Sequence, residues 1–370
     1  MTIIIGIIGL GFLVFFHELG HFCAARLFGV KVLAFSVGMG PILLHKDFKG
    51  TDYRISLIPL GGYCSMKGES DFQKALEENR KEMNGEPDSF YGVHPFKRLL
   101  IAFSGPFFNL LFGFLAFYTI AVMGYTYYSA GTKVSMADEV YEGMTSAAHE
   151  AGMMTGDTIT AINGKEMADF SDIASFIATH PDEDISITVE RNGDFMTLTA
   201  HTDLDKETGA GKLGIVSSAD SVLERSYGPY SPISAIKEGG KQCLDLIRLT
   251  FKSIGILFKG VDITKAVSGP VRITTMLGDT VQQGFAAGAK AGIISTLQFL
   301  ALISVSLFIT NLLPVPVLDG GLILFAVIEL IARKRMHPKL LYYIQYVGIA
   351  FIAVLMILAI VGDVRYFIGR

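Results

Sequence analysis

Residues 15–27 read FFHELGHFCAARL, and two properties of this stretch pull in opposite directions. His17, Glu18 and His21 have the His-Glu-x-x-His spacing. On a helix, positions i and i+4 share a face, so both imidazoles can address one metal ion, with the glutamate beside them as a base. Metal hydrolysis needs water, yet the surroundings are oily. Between Ile3 and Ala25 the only other ionisable side chain is Cys23. About 20 predominantly apolar residues are enough to cross a bilayer. Ionisable groups inside such a segment are costly and mark function by default. A cleavable signal peptide is the bland alternative. The stretch lacks a basic n-region and a small-x-small cleavage site, and a signal peptide has no use for His, Glu and His.

Working outward, the chain has 370 residues, of which 51% are hydrophobic and 18% charged, with mean hydropathy +0.45. That is too oily for a soluble domain and too mixed for a chain made only of spans. The formal net charge of −4 argues against nucleic-acid binding. Cys23, Cys64 and Cys243 are odd in number and far apart. They make neither a disulfide framework nor a cysteine zinc site. Membrane-length apolar runs recur from Leu99 to about Tyr125, from Gly292 through Leu313 with an extension to Ala332, and from Leu340 to about Val361. The predicted fold class is therefore a multi-span α-helical membrane protein with four transmembrane helices.

The loops set its orientation. The segment after the first run carries Arg26, Lys31, Lys46, Lys49, Arg54, Lys67, Lys97 and Arg98, and the connector before the last run reads ARKRMHPK. Basic loops stay cytoplasmic, which puts both termini and the middle segment on the outer side. DYRISLIPLGGYCSMKGE (52–69) alternates and reads as a short β-ribbon at the cytoplasmic face; 71–88 reads as a solvated polar helix. In the middle segment, TITAINGKEM and DISITVERNGDFMTLTAHT each place Asn-Gly between strand-like runs, which predicts two hairpins in an α+β unit. Residues 231–260 have apolar side chains at helical spacing with Lys and Arg between them, predicting an amphipathic helix pair. The expected organisation is 1–125 (first two spans and ribbon), 126–220 (α+β domain), 221–290 (amphipathic linker) and 291–370 (last two spans).

A second polar interruption completes the chemistry. NLLPVPVLDGG (311–321) breaks an apolar run with Pro314, Pro316, Gly320 and Gly321. Asp319 is the only acid between Gly292 and Ile328. Irregular backbone at membrane depth is tolerated only where it lines protein or water, so Asp319 is expected to turn inward as the third metal ligand. The alternative is a helix N-cap after the proline break. At 1.5 Å per residue, His17 lies about 13 Å from Arg26, and FSGPFFN (103–109) reaches a similar depth. Asn109 is expected either to hold substrate or an oxyanion, or to bond between helices.

HELGH, SGPFFN and NLLPVPVLDGG, with a domain after the second span, resemble the bacterial site-2 proteases, zinc intramembrane proteases of regulated intramembrane proteolysis. The resemblance covers nearly the whole chain and implies one catalytic Zn2+ on His17, His21 and Asp319, with Glu18 as the catalytic base. It implies that Gly61 and Gly62 of the ribbon, Asn109 and Asn311 contact substrate. It further implies a bacterial inner-membrane location, single-span membrane substrates such as anti-sigma factors and remnant signal peptides, and an upstream site-1-type protease that cuts first. Residues 130–203, with GMMTGDTITAINGKEM, resemble a PDZ domain, and GKLGIVSSAD (211–220) reads as its trailing strand. SGPVRI (268–273) is similar to another family segment of no assigned role. The competing readings are a membrane PDZ adaptor with a structural zinc site, and a metal transporter. The intact Glu18 argues against the adaptor, and the convergence of ionisable residues at one depth argues against the transporter.

Overall fold

The computed structural model describes residues 2–78, 85–218, 222–256, 259, 261–262 and 268–368. It divides into two units. The first holds residues 1–120, 231–247 and 268–370, and the second holds 121–230 and 248–267.

Among the described residues, four helices are long and apolar enough to cross a membrane: α1 (Thr2–Leu27), α3 (Pro95–Met123), α9 (Ala289–Asn311) and α11 (Pro338–Ile368). They fall on the four apolar runs. The extension beyond Leu313 is a separate helix, α10 (Asp319–Ala332). Its separation from α9 follows from the local sequence. Pro314 and Pro316 cannot donate helical hydrogen bonds, Val317 takes φ 101°, and α10 starts at Asp319. A Cβ at Gly320 would strike the carbonyls of Leu312 and Leu313, so glycine lets the chain fold back on itself there.

The ribbon is larger than 52–69. Strands β1 (Val32–Phe48) and β2 (Thr51–Met66) form a hairpin turned at Lys49-Gly50, both with positive φ. Each strand folds over on itself, so residues 34–37 carry 62–65 on one side and 52–55 on the other, while 44–48 pair with 51–55. Phe35, Cys64, Met66, Val30 and Val32 join Ala25 of α1 and Ile101 of α3 in one buried cluster. The ribbon is thereby fastened to the two helices that carry HELGH and SGPFFN.

The polar helix predicted over 71–88 is α2 (Asp71–Glu77) only; residues 79–84 lie outside the described residues, and 85–88 are not helical. Pro87 and its preceding Gly85-Glu86 disfavour helix there.

The pair of helices predicted over 231–260 is instead one continuous helix, α7 (Pro232–Ile256). Gly239 does not break it, because its bare Cα packs against the α3 backbone at Tyr118, with 3.0 Å from an added Cβ to Tyr118 N. A second amphipathic helix, α8 (Pro270–Ala286), lies along α1. SGPVRI is its start. The buried Asp363 carboxylate of α11 accepts hydrogen bonds from the backbone N–H of Gly269 (2.8 Å), Val271 (3.0 Å) and Arg272 (3.2 Å). That satisfies orphan donors of a helix start from a distant helix.

Arg98 and Glu329, which mark span ends in the sequence, form a buried ion pair between α3 and α10. Glu329 also accepts from Met336 N–H at 2.9 Å, and the Arg98 guanidinium lies 5.2 Å from the Tyr91 ring centroid.

The second unit is α+β. β5 (Thr158–Ile162), β6 (Lys165–Glu166), β7 (Asp184–Arg191) and β8 (Asp194–His201) form a sheet in the order β6-β5-β7-β8. Both Asn-Gly pairs are the hairpin turns, with φ 49° and 75° at Asn163-Gly164 and 54° and 91° at Asn192-Gly193. Helix α6 (Phe170–Ala178) is capped by Asp169, whose carboxylate accepts from Asp172 N–H at 3.0 Å. Ile159, Ile162, Ile173, Ile185, Ile187 and Val189 form a fully buried core.

The expected trailing strand is β11 (Ile215–Ser217), paired with β4 (Val134–Met136). The sequence reading lacked the pairing of β3 (Tyr125–Ala130) with β12 (Val222–Tyr227), which puts a strand at the start of the stretch read as a helical linker.

Candidate metal centre

α1 presents His17 and His21 one turn apart, with 9% and 7% of their surface exposed. The Asp319 carboxylate, at the first residue of α10, reaches both: His17 Nε2 to Oδ2 is 3.2 Å and His21 Nε2 to Oδ1 is 3.3 Å. The two Nε2 atoms are 3.2 Å apart. The carboxylate thus spans the two imidazoles, with one oxygen toward each. Asp319 follows an extended Leu318 at the N-cap position, so both expectations for it meet at the start of α10, with its carboxylate directed to the histidines.

Two imidazoles and one carboxylate are a zinc donor set, with the fourth position open for catalysis. A tetrahedral zinc with ligands at about 2.0–2.1 Å has donor–donor edges of about 3.3 Å, close to the separation of the two Nε2 atoms and to that of each Nε2 from its nearer Asp319 oxygen. The backbone of α3 leaves the space. A methyl at Gly105 would clash with His21 Nε2 and come within 2.8 Å of His17 Nε2. The residues present therefore fit zinc.

The outer nitrogens are also held. His21 Nδ1 lies 2.8 Å from the Ile101 carbonyl. Ile101 belongs to α3 just before Pro106, and Ser104 Oγ donates to the same carbonyl at 2.6 Å. A hydrogen bond from Nδ1–H to that carbonyl leaves Nε2 bare for metal. His17 Nδ1 lies 3.0 Å from the Asn109 amide. Asn109 is fully buried, and Ser304 Oγ of α9 donates to its backbone carbonyl at 2.8 Å.

Glu18 is half-buried next to the two histidines. The ribbon passes beside it: a Cβ at Gly62 would sit 3.5 Å from Glu18 Cγ and 3.7 Å from Val14 Cγ1. Gly61 has φ 107° and faces Met39. Asn311 is the last residue of α9, ahead of the proline break and outside the His-His-Asp triangle.

Of the residues singled out in the sequence, the structure thus gathers His17, His21, Asp319, Glu18, Asn109 and Gly62. Gly105 and the Ile101 carbonyl were missed as site elements. Gly105 lay within SGPFFN, but its proximity to the imidazoles is a tertiary fact. A second grouping, His45, Asp47 and Asp52, sits on the exposed ribbon. Arg54 already engages Asp52 at 2.6 Å, and nothing there resembles the buried, convergent triangle.

A helix-borne His-Glu-x-x-His completed by a carboxylate from another segment defines a zinc metalloprotease, here on a multi-pass membrane protein with four membrane-length helices. The sequence profile of peptidase family M50 matches residues 5–355, and the chain belongs to that family. Relatives named "Putative zinc metalloprotease" align along nearly the whole chain. One from Treponema pallidum is 35% identical over 99% of this chain and 99% of its own. One from Campylobacter jejuni is 33% identical over 98% of this chain and 92% of its own. One from Clostridium acetobutylicum is 30% identical over 99% and 98%. The protein is a zinc metalloprotease, and Zn2+ is its cofactor.

Proposed function

We propose that the protein is an intramembrane endopeptidase that cuts single-span membrane proteins whose outer domains have been removed by a site-1-type protease. Anti-sigma factors and remnant signal peptides are the substrate class. The observation that carries the reading is the His17–His21–Asp319 triangle, buried between membrane-length helices with the ribbon alongside. A site at that depth serves a substrate that shares the bilayer.

Zinc, when bound, polarises the scissile carbonyl and the attacking water. His17, His21 and Asp319 hold the ion. Glu18 accepts the proton from that water and returns it to the leaving amine. A peptide bond within a helix is shielded, so the substrate must unwind locally, and its freed backbone groups need partners. Residues 62–65 supply them: they pair with 34–37 on one side, and among the described residues no strand pairs with the other. Gly62 lets that strand run close to Glu18.

The second unit serves as a PDZ-like domain on the outer face of a bacterial inner membrane, with both chain termini on that side and the zinc toward the cytoplasm. Support comes from the basic loops and from a cleft of about 520 Å3 between the face of α6 (Phe170, Ala174, Ile177) and Leu213 and Ile215.

Reconstituted with a labelled single-span substrate, Glu18→Gln should keep zinc and lose cleavage by at least about a hundredfold. Cleavage at the wild-type rate by the purified variant would overturn the reading.

A further inference from the structure

His21 and His17 are held by different kinds of group. His21 Nδ1 meets a backbone carbonyl, Ile101 O, at 2.8 Å. A carbonyl can only accept, so the His21 tautomer has one possibility. His17 Nδ1 meets a side-chain amide, which can present either an acceptor or a donor. With the Asn109 nitrogen 3.0 Å from His17 Nδ1, the amide oxygen is fully buried with no hydrogen-bond partner. In that orientation the amide donates, His17 Nδ1 must be the bare nitrogen, and the proton sits on Nε2, the atom that faces His21 and Asp319. A metal on Nε2 reverses every step. Nε2 is then bare, Nδ1 carries the proton, and it needs an acceptor.

We infer that Asn109 is the positioning residue for His17: with zinc bound, its amide presents oxygen to His17 Nδ1–H, fixing the metal-competent tautomer. The inference rests on His17 as a zinc ligand. Two further observations support it. Asn109 has no solvent exposure, so water cannot replace the acceptor. Its backbone is fixed from the far side by Ser304, also fully buried, through the 2.8 Å bond to Asn109 O. The amide can therefore turn about its own side-chain bonds while its Cα stays in place. Turning it puts the NH2 where the oxygen was, a position with no protein partner, rather than leaving Nδ1–H facing a donor. Reaction of substrate with that NH2 as an oxyanion donor is the rival role, and the chemistry separates the two. An aspartate keeps the acceptor and removes the donor.

The test is zinc affinity, read by chelator competition on the full-length protein in detergent, for wild type, His17→Ala, Asn109→Asp, Asn109→Ala and Asn109→Leu. Melting of the zinc-free proteins is followed in parallel. Asn109→Asp should bind zinc within about threefold of wild type, while Ala and Leu lose about 10–100-fold. Leucine, close to asparagine in size, serves where the alanine cavity prevents folding. Loss of helix packing alone would lower the zinc-free melting point and leave affinity in the folded fraction unchanged. Wild-type affinity in Asn109→Ala and Asn109→Leu, with His17→Ala impaired, would overturn this inference and spare the zinc assignment. Equal loss in Asn109→Asp and Asn109→Ala would also overturn it, since the nitrogen end would then be the one required. Undiminished affinity in His17→Ala would overturn the ligand assignment itself.

Discussion

The two units each bury charged side chains, and they do so in opposite ways. In the second unit, Asp157 is 1% exposed and fully partnered. Arg191 Nε donates to Oδ1 at 2.7 Å, Arg191 Nη2 donates to Oδ2 and to the Gly152 carbonyl at 2.8 Å, and Met154 N–H donates to Oδ2 at 2.9 Å. Burial alone would raise the Asp157 carboxyl, but Arg191 and Met154 N–H hold it below the usual range. In the first unit, the Nε2 atoms of His17 and His21 and the Asp319 carboxylate converge, and the outer nitrogens of the two histidines are already occupied. The first arrangement is closed and belongs to the fold. The second is complete only around a cation. Buried charge by itself is weak evidence of function; buried acceptors that converge are strong evidence.

That contrast can be broken at graded cost. The largest effect is expected at Asp319→Ala, which removes one of three donors. Zinc measured by atomic emission should fall well below one per chain, and cleavage should fall to background. Arg98→Met comes next. It strands Glu329 in a buried site, at a cost of about 3–5 kcal/mol, whereas Arg98→Met with Glu329→Leu should recover most of that loss, short of the hydrogen bond that Glu329 accepts from Met336 N–H. Chemical denaturation of the two variants in detergent checks this; equal destabilisation would show that the pair is not a closed structural unit.

Gly105→Ala has a smaller, local effect. The methyl intrudes where the imidazoles converge, so zinc affinity should weaken tenfold or more, about 1.4 kcal/mol, with little change in zinc-free melting.

Arg191→Met is expected to leave zinc untouched and to weaken the second unit at neutral pH while blunting its loss of stability in acid. Asp157 is held low, and Asp205 is held at about 2 by the Glu207 N–H, Thr208 and Lys212. Groups with lowered folded pKa stabilise fully above their unfolded value, near 4, and lose that contribution as pH falls toward 2. Without Arg191 the burial of the Asp157 carboxylate is no longer offset, so hydrogen-exchange protection in β5 and β7 should fall at neutral pH and recover in part as the carboxyl protonates, where the wild type only loses protection with acid. An unchanged acid profile would refute the closed-pair account.

Much of this was legible in the sequence. Apolar run length gave the four helices, because a bilayer demands about 20 apolar residues whatever the packing. The Asn-Gly pairs gave both hairpins, since few residues tolerate positive φ in succession. His17, His21 and Asp319 stood out because an ionisable group in an oily run needs a reason.

What was hidden depends on contacts between distant segments. Strand β1 contains Gly38, Gly40 and Pro41 within an apolar run and lacks alternation, so its pairing with both arms of β2 left no periodic signal. Residues 231–260 read as a pair of amphipathic helices, and only the approach of α3 at Gly239 shows how α7 packs as one. The Ile101 carbonyl carries no side-chain signature, and Asn109 showed its depth but not its partner.

The central claim is that His17, His21 and Asp319 hold one zinc. Zinc K-edge X-ray absorption on the purified Glu18→Gln protein tests it most directly. The account predicts about one zinc per chain with only nitrogen and oxygen neighbours near 2.0–2.1 Å, two of them imidazole. A sulfur neighbour near 2.3 Å, which would bring in Cys23 or Cys64, or zinc retained unchanged after His17→Ala, would contradict it.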